Sequence, residues 1–274
     1  MLDQHNTPDT PQHSRAQARR RKHGYLAAKI LAVGALGALL LSQGSASAQG
    51  YIERPLTLPE GTLRLDLAPQ DYAFMDHGAL NDARGLRLRD LGDDVGVSLG
   101  AGLGYGLGSG FELGGLILPL QLAPDTDVGD LELYGRYAIT EAVALQATLQ
   151  LPTQTETGLG FGLPVYLPLG DAARLETGVE LEVIFYKDAV ANLDVPLAIN
   201  FAVAREVFLG LRSGLLLWDF DEAFVNLGVQ GGVTVDPAAD LTVSFNFPQF
   251  ITTVGDDAVV VDGWELIFGA NIFI

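Results

Sequence analysis

From Gly61 onward, apolar and polar residues take turns with period two, the repeat of a strand that shows one face to a greasy environment and one to a wet one. Leu63, Leu65 and Leu67 alternate with Arg64 and Asp66. Residues 94–107 set Val95, Val97, Leu99, Ala101, Leu103, Tyr105 and Leu107 against Gly96, Ser98, Gly100, Gly102, Gly104 and Gly106, a greasy face and a nearly bare one. Gly108-Ser109-Gly110 has hairpin-turn chemistry, and Phe111, Leu113 and Ile117 resume the apolar parity beyond it. Residues 129–138 and 142–151 repeat the pattern, as do 158–167, 173–186, 192–204, 206–218, 223–235, 239–250 and 262–274. The reading is twelve strands, with ten and fourteen as alternatives because strand ends drift by a few residues.

Short connections (108–110, 138–141, 168–172, 204–206, 236–238) alternate with segments that are mostly longer and more polar (74–93, 119–128, 152–157, 187–191, 219–222, 251–261). An even number of strands with short turns on one rim and long loops on the other predicts an all-β fold, a transmembrane up-and-down antiparallel β-barrel. Residues 61–274 give about 18 positions per strand and connection, against about 9 to 11 needed to cross a bilayer.

Alternation alone also fits a soluble sandwich or lipocalin-like barrel. Two features favour the membrane. The apolar parity is almost free of charge, where a mid-bilayer Arg or Lys would cost about 2 to 4 kcal/mol. Aromatic residues gather at strand ends, with Tyr105, Phe111 and Tyr137 near the short turns and Phe185, Tyr186, Trp218, Phe224, Phe250 and Trp264 near the longer loops, as interfacial girdles do.

Ahead of the barrel, residues 1–24 are polar and basic, residues 25–41 are apolar apart from Lys29, and Ala46-Ser47-Ala48 supplies an A-x-A site. That order predicts a signal peptide, 1–48, removed after Ala48, and export to the outer membrane of a Gram-negative envelope. The residues after the Arg pairs lack the aromatic-leucine pair of a twin-arginine signal, which favours the general (Sec) secretory route. Residues 49–60 (QGYIERPLTLPE) are too short to fill a lumen and read as a periplasmic N-terminal lead-in; 61–274 is the barrel.

Charge then narrows the function. Of 16 basic and 34 acidic residues the leader holds six and two, so the mature chain keeps 10 and 32, a net charge of −22. A nucleic-acid partner is excluded on that balance. With no Cys there are no disulfides or thiolate sites.

The inward parity collects Arg64, Asp66, Glu112, Glu132, Arg136, Glu176, Glu180, Glu182, Asp194, Arg212 and Glu265, eight acids against three arginines. These are the candidate lumen-lining residues. If the lumen conducts, the acid excess raises local cation concentration and disfavours anions. The expected function is a porin-like passive channel for small polar or amphipathic solutes with a weak cation preference. The alternative is an occluded structural or surface-interaction barrel acting through loops 74–93 and 251–261, its interior charges paired across the lumen.

Other chemistry is thin. His77, the sole mature His, lies in a loop beside Asp76 and Asp82 with no Ser nearby, so no catalytic site is expected. Asp125, Asp127 and Asp130 could offer oxygen ligands to a hard cation, but the segment lacks the twelve-residue loop and its closing Glu, and a solvated acidic loop accounts for it. Loop carboxylates Asp219, Asp221, Glu222, Asp256 and Asp257 could bridge to lipopolysaccharide through divalent cations, and loop solubility explains them equally. The Gly runs hold no phosphate-binding motif and read as lumen space or strand curvature. No cofactor is expected.

The chain ends WELIFGANIFI within its last strand. This resembles the C-terminal assembly signal of outer-membrane barrels, with Gly269, Ile272 and Ile274 at its glycine and last two hydrophobic positions, and implies the barrel assembly machinery as a partner beside outer-membrane lipid. The segment Val128-Gly-Asp-Leu-Glu-Leu-Tyr-Gly-Arg-Tyr137 is similar to the GDL-x-L-x-x-(K/R)-Y strand of a broad set of outer-membrane transport proteins that includes the phenol-degradation-associated barrels.

Overall fold

A computed structural model describes residues 50–67, 85–90, 95–116, 120–124, 126–129, 131–151, 157–185, 189–254 and 257–274. His77, Asp125, Asp130 and the expected leader lie outside these residues.

The strand segments, in chain order, are β1 (Leu63–Asp66), β2 (Gly85–Asp90), β3 (Val95–Gly100), β4 (Gly102–Gly108), β5 (Phe111–Leu116), β6 (Leu120–Ala123), β7 (Asp127–Val128), β8 (Leu131–Ala138) and β9 (Ala144–Leu151). They continue as β10 (Thr157–Pro168), β11 (Ala173–Phe185), β12 (Ala189–Ala202), β13 (Val207–Trp218), β14 (Glu222–Asp236), β15 (Ala239–Val254), β16 (Asp257–Asp262) and β17 (Glu265–Phe273). Ten of them join in pairs end to end: β1 with β2, β3 with β4, β5 with β6, β7 with β8, and β16 with β17. Each pair keeps the same neighbours, for β4 pairs β1 as β3 pairs β2. The result is twelve antiparallel strands, each paired with its sequence neighbours. β17 closes the ring on β1 through Arg64↔Phe273 and Asp66↔Asn271.

The barrel is apolar outside and polar inside, the inverse of a water-soluble domain. Phe161, Leu209, Leu211, Leu113 and Val229 are all more than half exposed, while Glu112, Asn200, Asp240 and Asn271 are fully buried and Arg136 nearly so. Contiguous apolar surface on this scale suits lipid contact and not water. Closure leaves no open sheet edge, as a strand in hydrocarbon requires. Tyr105, Phe111 and Tyr137 stand on the outer face at the turn side, Phe111 and Tyr137 with ring centroids 4.4 Å apart. On the loop side, Phe245 stacks with Trp264 (6.3 Å) and meets Phe247 edge-on (5.1 Å).

Several expectations change. Stretches read as loops carry ladder: β2 lies within 74–93, β6 and β7 within 119–128, and β15 and β16 across most of 251–261. The first of these, GLRLRD, does alternate, but it is six residues long and sits among polar residues, so its ladder is hard to tell from loop. The connection 219–222 is a three-residue turn between Trp218 and Glu222, tight enough to hold Asp219 and Phe220 at φ 48° and 57°. The Gly-Ser-Gly turn forms as expected, all three residues in the left-handed region (φ 92°, 51° and 81°).

Trp218 and Phe224 are corrected from outer girdle to inner face. Trp218 shares the parity of buried Arg212, and register places Phe224 across from Leu216 and Thr252, with Leu215 and Ile251 on the exposed parity.

Candidate functional site: an inner wall in two halves

All eleven sequence-predicted wall residues lie on the inward parity. Arg64, Asp66, Glu112, Arg136, Glu176, Glu180, Asp194, Arg212 and Glu265 are buried; Glu132 and Glu182 are half-buried. They do not act as one set.

The turn-side half is filled by residues 50–60. Expected outside the lumen, this segment lies against the inner wall, with Tyr51, Leu56 and Leu58 between 3 % and 6 % exposed. It carries its own unpaired backbone amides and carbonyls inside, and the wall supplies the partners, as a buried chain demands. Tyr51 stacks on Phe208 of β13 at 3.9 Å. Arg174 of β11 donates to the carbonyls of Tyr51 (3.2 Å), Ile52 (3.4 Å) and Arg54 (3.0 Å). Its Nε donates to Glu176 (2.8 Å), and its plane lies over the rings of Tyr51 and Tyr166. Glu176 also accepts from Asn200 (2.9 Å), whose own oxygen accepts from Gln230.

Farther along the segment, Arg54 donates to both oxygens of Asp240 (3.1 and 3.3 Å) and covers the ring of Phe273 at 4.2 Å. Arg136 donates to the Leu56 carbonyl (3.0 Å) and to Gln146. Glu112 accepts the Leu58 N–H (2.8 Å) and the Tyr134 hydroxyl (2.6 Å), while Arg64 donates to Tyr134 (2.9 Å) and Asp66 (2.7 Å) and lies 3.2 Å from Glu112. Hydrogen bonds with one charged partner contribute about 1.5 to 3 kcal/mol each, so the segment is held around most of its length.

The bare glycine face of β4 is where the segment enters the ladder. A Cβ on Gly106 would stand 2.0 Å from the Pro59 carbonyl oxygen, and Gly106 exchanges backbone hydrogen bonds with Gly61 (2.9 Å) and Thr62 (3.0 Å). The glycine leaves room for backbone, not for an empty lumen.

The loop-side half has a different character. Register sets Glu180 of β11 directly across from Asp194 of β12, and Glu182 across from Asn192, which donates to it at 3.4 Å. Like charges directly opposite on neighbouring strands are unfavourable by a few tenths to about 1 kcal/mol. On the next strands the inward positions turn apolar, with Leu216, Trp218 and Phe224, and Glu222 stands across from Trp218.

Sequence reasoning missed Arg174, Asp240, Asn200 and Gln230, although Arg174 has the parity of Glu176 and Asn200 that of Asp194, both named as inward. It missed the inner role of residues 50–60 for want of any signal, since YIERPLTLPE has no period. Among the described residues no three or more His, Asp or Glu side chains group to hold a metal ion. Of the weak candidates Asp125, Asp127 and Asp130, only the backbone of Asp127 is described, in β7 opposite Gln121. At the chain end, Gly269 pairs across from Thr242, Ile272 from Leu65 and Ala239, and Ile274 exchanges backbone hydrogen bonds with Leu63 (2.7 and 2.9 Å), so the resemblance to an assembly signal falls on the strand that closes the ring.

No family model matches the sequence, and no curated protein matches it. Solved structures do. The COG4313 outer membrane channel from Pseudomonas putida F1 aligns over 85 % of this chain and 100 % of its own at 13 % identity and TM-score 0.51. A KdgM porin in complex with disordered oligogalacturonate aligns over 77 % and 98 % at 8 % identity and TM-score 0.50, and a NanC porin over 68 % and 98 % at 8 % identity and TM-score 0.50. At these identities the likeness is one of fold: the chain is a twelve-stranded transmembrane barrel built like those of bacterial outer-membrane porins.

Proposed function

We propose that the protein is a passive outer-membrane channel for small solutes, with a weak preference for cations set by the loop-side half of its inner wall. The observation that carries this is the acid excess there: Glu180, Glu182, Asp194 and Glu222 face inward with Arg212 as the nearest inward arginine on the same strands. Carboxylates lining a low-dielectric passage concentrate cations and repel anions. The KdgM structure holds an oligogalacturonate, an acidic chain; the sign of this inner wall argues for a different solute. Export through a cleaved signal peptide, folding through the assembly machinery and contact with lipid and lipopolysaccharide complete the reading, and it assigns no catalysis.

A second reading, an occluded barrel that acts through its loops, draws support from residues 50–60, which occupy the turn-side half of the interior. Ion currents through the refolded protein in a planar bilayer under a salt gradient separate the two. A steady current with a cation-selective reversal potential is expected. Silence from a barrel shown intact by heat-shifted gel mobility, persisting after deletion of residues 50–59, would overturn the channel and leave the loops as the active surface; trimming 74–93 and 251–261 should then abolish partner binding.

A further inference from the structure

The loop-side inner wall joins two chemistries in adjacent strands. Glu180 and Asp194 belong to β11 and β12; Leu216 and Trp218 follow on β13 and Phe224 on β14. Asp194 pairs across from Leu216, Leu216 from Phe224, and Trp218 from Glu222. Carboxylates thus border the aromatic patch on both sides. An indole and a phenyl ring on the inside of an otherwise polar wall have no lipid to face, and both are half-buried.

Two further observations point to a ligand. Thr252, on the far side of Phe224, is 7 % exposed and its hydroxyl has no hydrogen-bond partner in the structure. A buried hydroxyl left unsatisfied costs about 1 to 3 kcal/mol, a cost that a bound donor or acceptor relieves. The rim beside Trp218 is also low and fixed. Its turn is three residues long, Asp221 N–H donates to the Trp218 carbonyl (3.0 Å), and Asp219 is tied to β12 by its N–H donating to Asn192 (3.2 Å) and its carboxylate accepting from Ala191 N–H (3.4 Å). Two consecutive non-glycine residues with positive φ are costly to hold, and here they keep the connection short.

We infer that this patch is a binding site for small organic cations that carry an apolar or aromatic body, such as arylalkyl ammonium compounds. The rings take the cation against their negative faces and the apolar body against Leu216, and the carboxylates offset the charge. A neutral aromatic gains only the apolar part and an aromatic anion meets repulsion. The inference deepens the channel reading by naming its solute class.

The test uses benzylammonium as probe and the full barrel refolded in detergent. The chain has two Trp, so Trp264→Phe leaves Trp218 as the sole reporter. Saturable quenching by the probe is expected, weakened roughly fivefold by Phe224→Leu and by the Asp194→Asn, Glu222→Gln pair, with benzyl alcohol and benzenesulfonate far weaker. Heat-shifted mobility verifies each variant's fold, and Glu222→Gln, half-buried beside the turn, serves alone if Phe224→Leu does not refold. Absence of saturable quenching, or equal binding of benzyl alcohol, overturns the site. Binding is read without conduction, so a silent barrel that binds the probe sinks the channel and keeps the site, and a conducting barrel that ignores it does the reverse.

Discussion

The turn-side and loop-side halves of one inner wall use the same residue types to opposite ends. Around residues 50–60, Arg54 meets Asp240, Arg64 meets Asp66 and Glu112, and Arg174 meets Glu176, while Arg136 donates to the Leu56 carbonyl and Gln146. In the loop-side half Glu180, Glu182, Asp194 and Glu222 share the inner face of β11 to β14 with Arg212. Within β11 to β14, the loop-side half of the inner face therefore carries four carboxylates beside one guanidinium.

The contrast is most easily broken at Arg174. Replacing it with Met leaves Glu176 buried without its guanidinium and strips three carbonyls of residues 51–54 of their donor. Breaking a buried pair from one side costs about 3 to 5 kcal/mol. Arg174→Met should lower the unfolding free energy measured in urea by that amount and, by loosening residues 50–60, raise any conductance. A stability loss below about 1 kcal/mol would mean that the turn-side network is not what holds the inner segment.

How much of this was legible beforehand divides the same way. The twelve strands, their inward parity and the short-turn rim follow from alternation alone, because lipid on one side and a polar interior on the other force period two on the backbone. Arg174 was within reach: it shares the parity of Glu176, and counting in twos finds it. Trp218 was within reach too, three steps of two from Arg212, but an aromatic at a strand end invites the girdle reading. Residues 50–60 were not legible. An irregular segment that borrows its hydrogen bonds from β5, β8, β11 and β15 writes no period of its own, and its trace in the chain is the run of glycines opposite it, which reads equally well as empty space.

Those glycines sharpen the comparison at smaller scale. Gly106→Ala drives a methyl to 2.0 Å from the Pro59 carbonyl and 2.7 Å from that of Leu58, backbone atoms that cannot swing aside. Gly158→Ala in the loop-side half meets Gln150 Oε1 at 3.0 Å, the tip of a flexible side chain. Overpacking costs about 1 to 3 kcal/mol where the surroundings cannot yield. Gly106→Ala should therefore lose stability in that range and release residues 58–60 to protease, while Gly158→Ala stays close to the parent in both assays. Equal losses would show that the two halves are packed alike.

The smallest structural effect should accompany the clearest functional one. Glu180→Gln with Glu182→Gln keeps side-chain volume, removes the opposition between Glu180 and Asp194, and leaves the turn-side network untouched. Gln at 182 keeps an acceptor for the Asn192 amide, so stability should change by about 1 kcal/mol or less. The reversal potential under a salt gradient should move toward zero, because two of the carboxylates that concentrate cations are gone. Glu176→Gln is the matched control: it too deletes a buried inward carboxylate, but one engaged by Arg174 and Asn200 beneath the inner segment. It should cost stability and leave ion preference where it was. If instead both substitutions shift selectivity alike, the field belongs to the whole interior and the division of the wall into a structural and a selecting half fails; if neither does so in a conducting barrel, the carboxylates of β11 do not choose the ion.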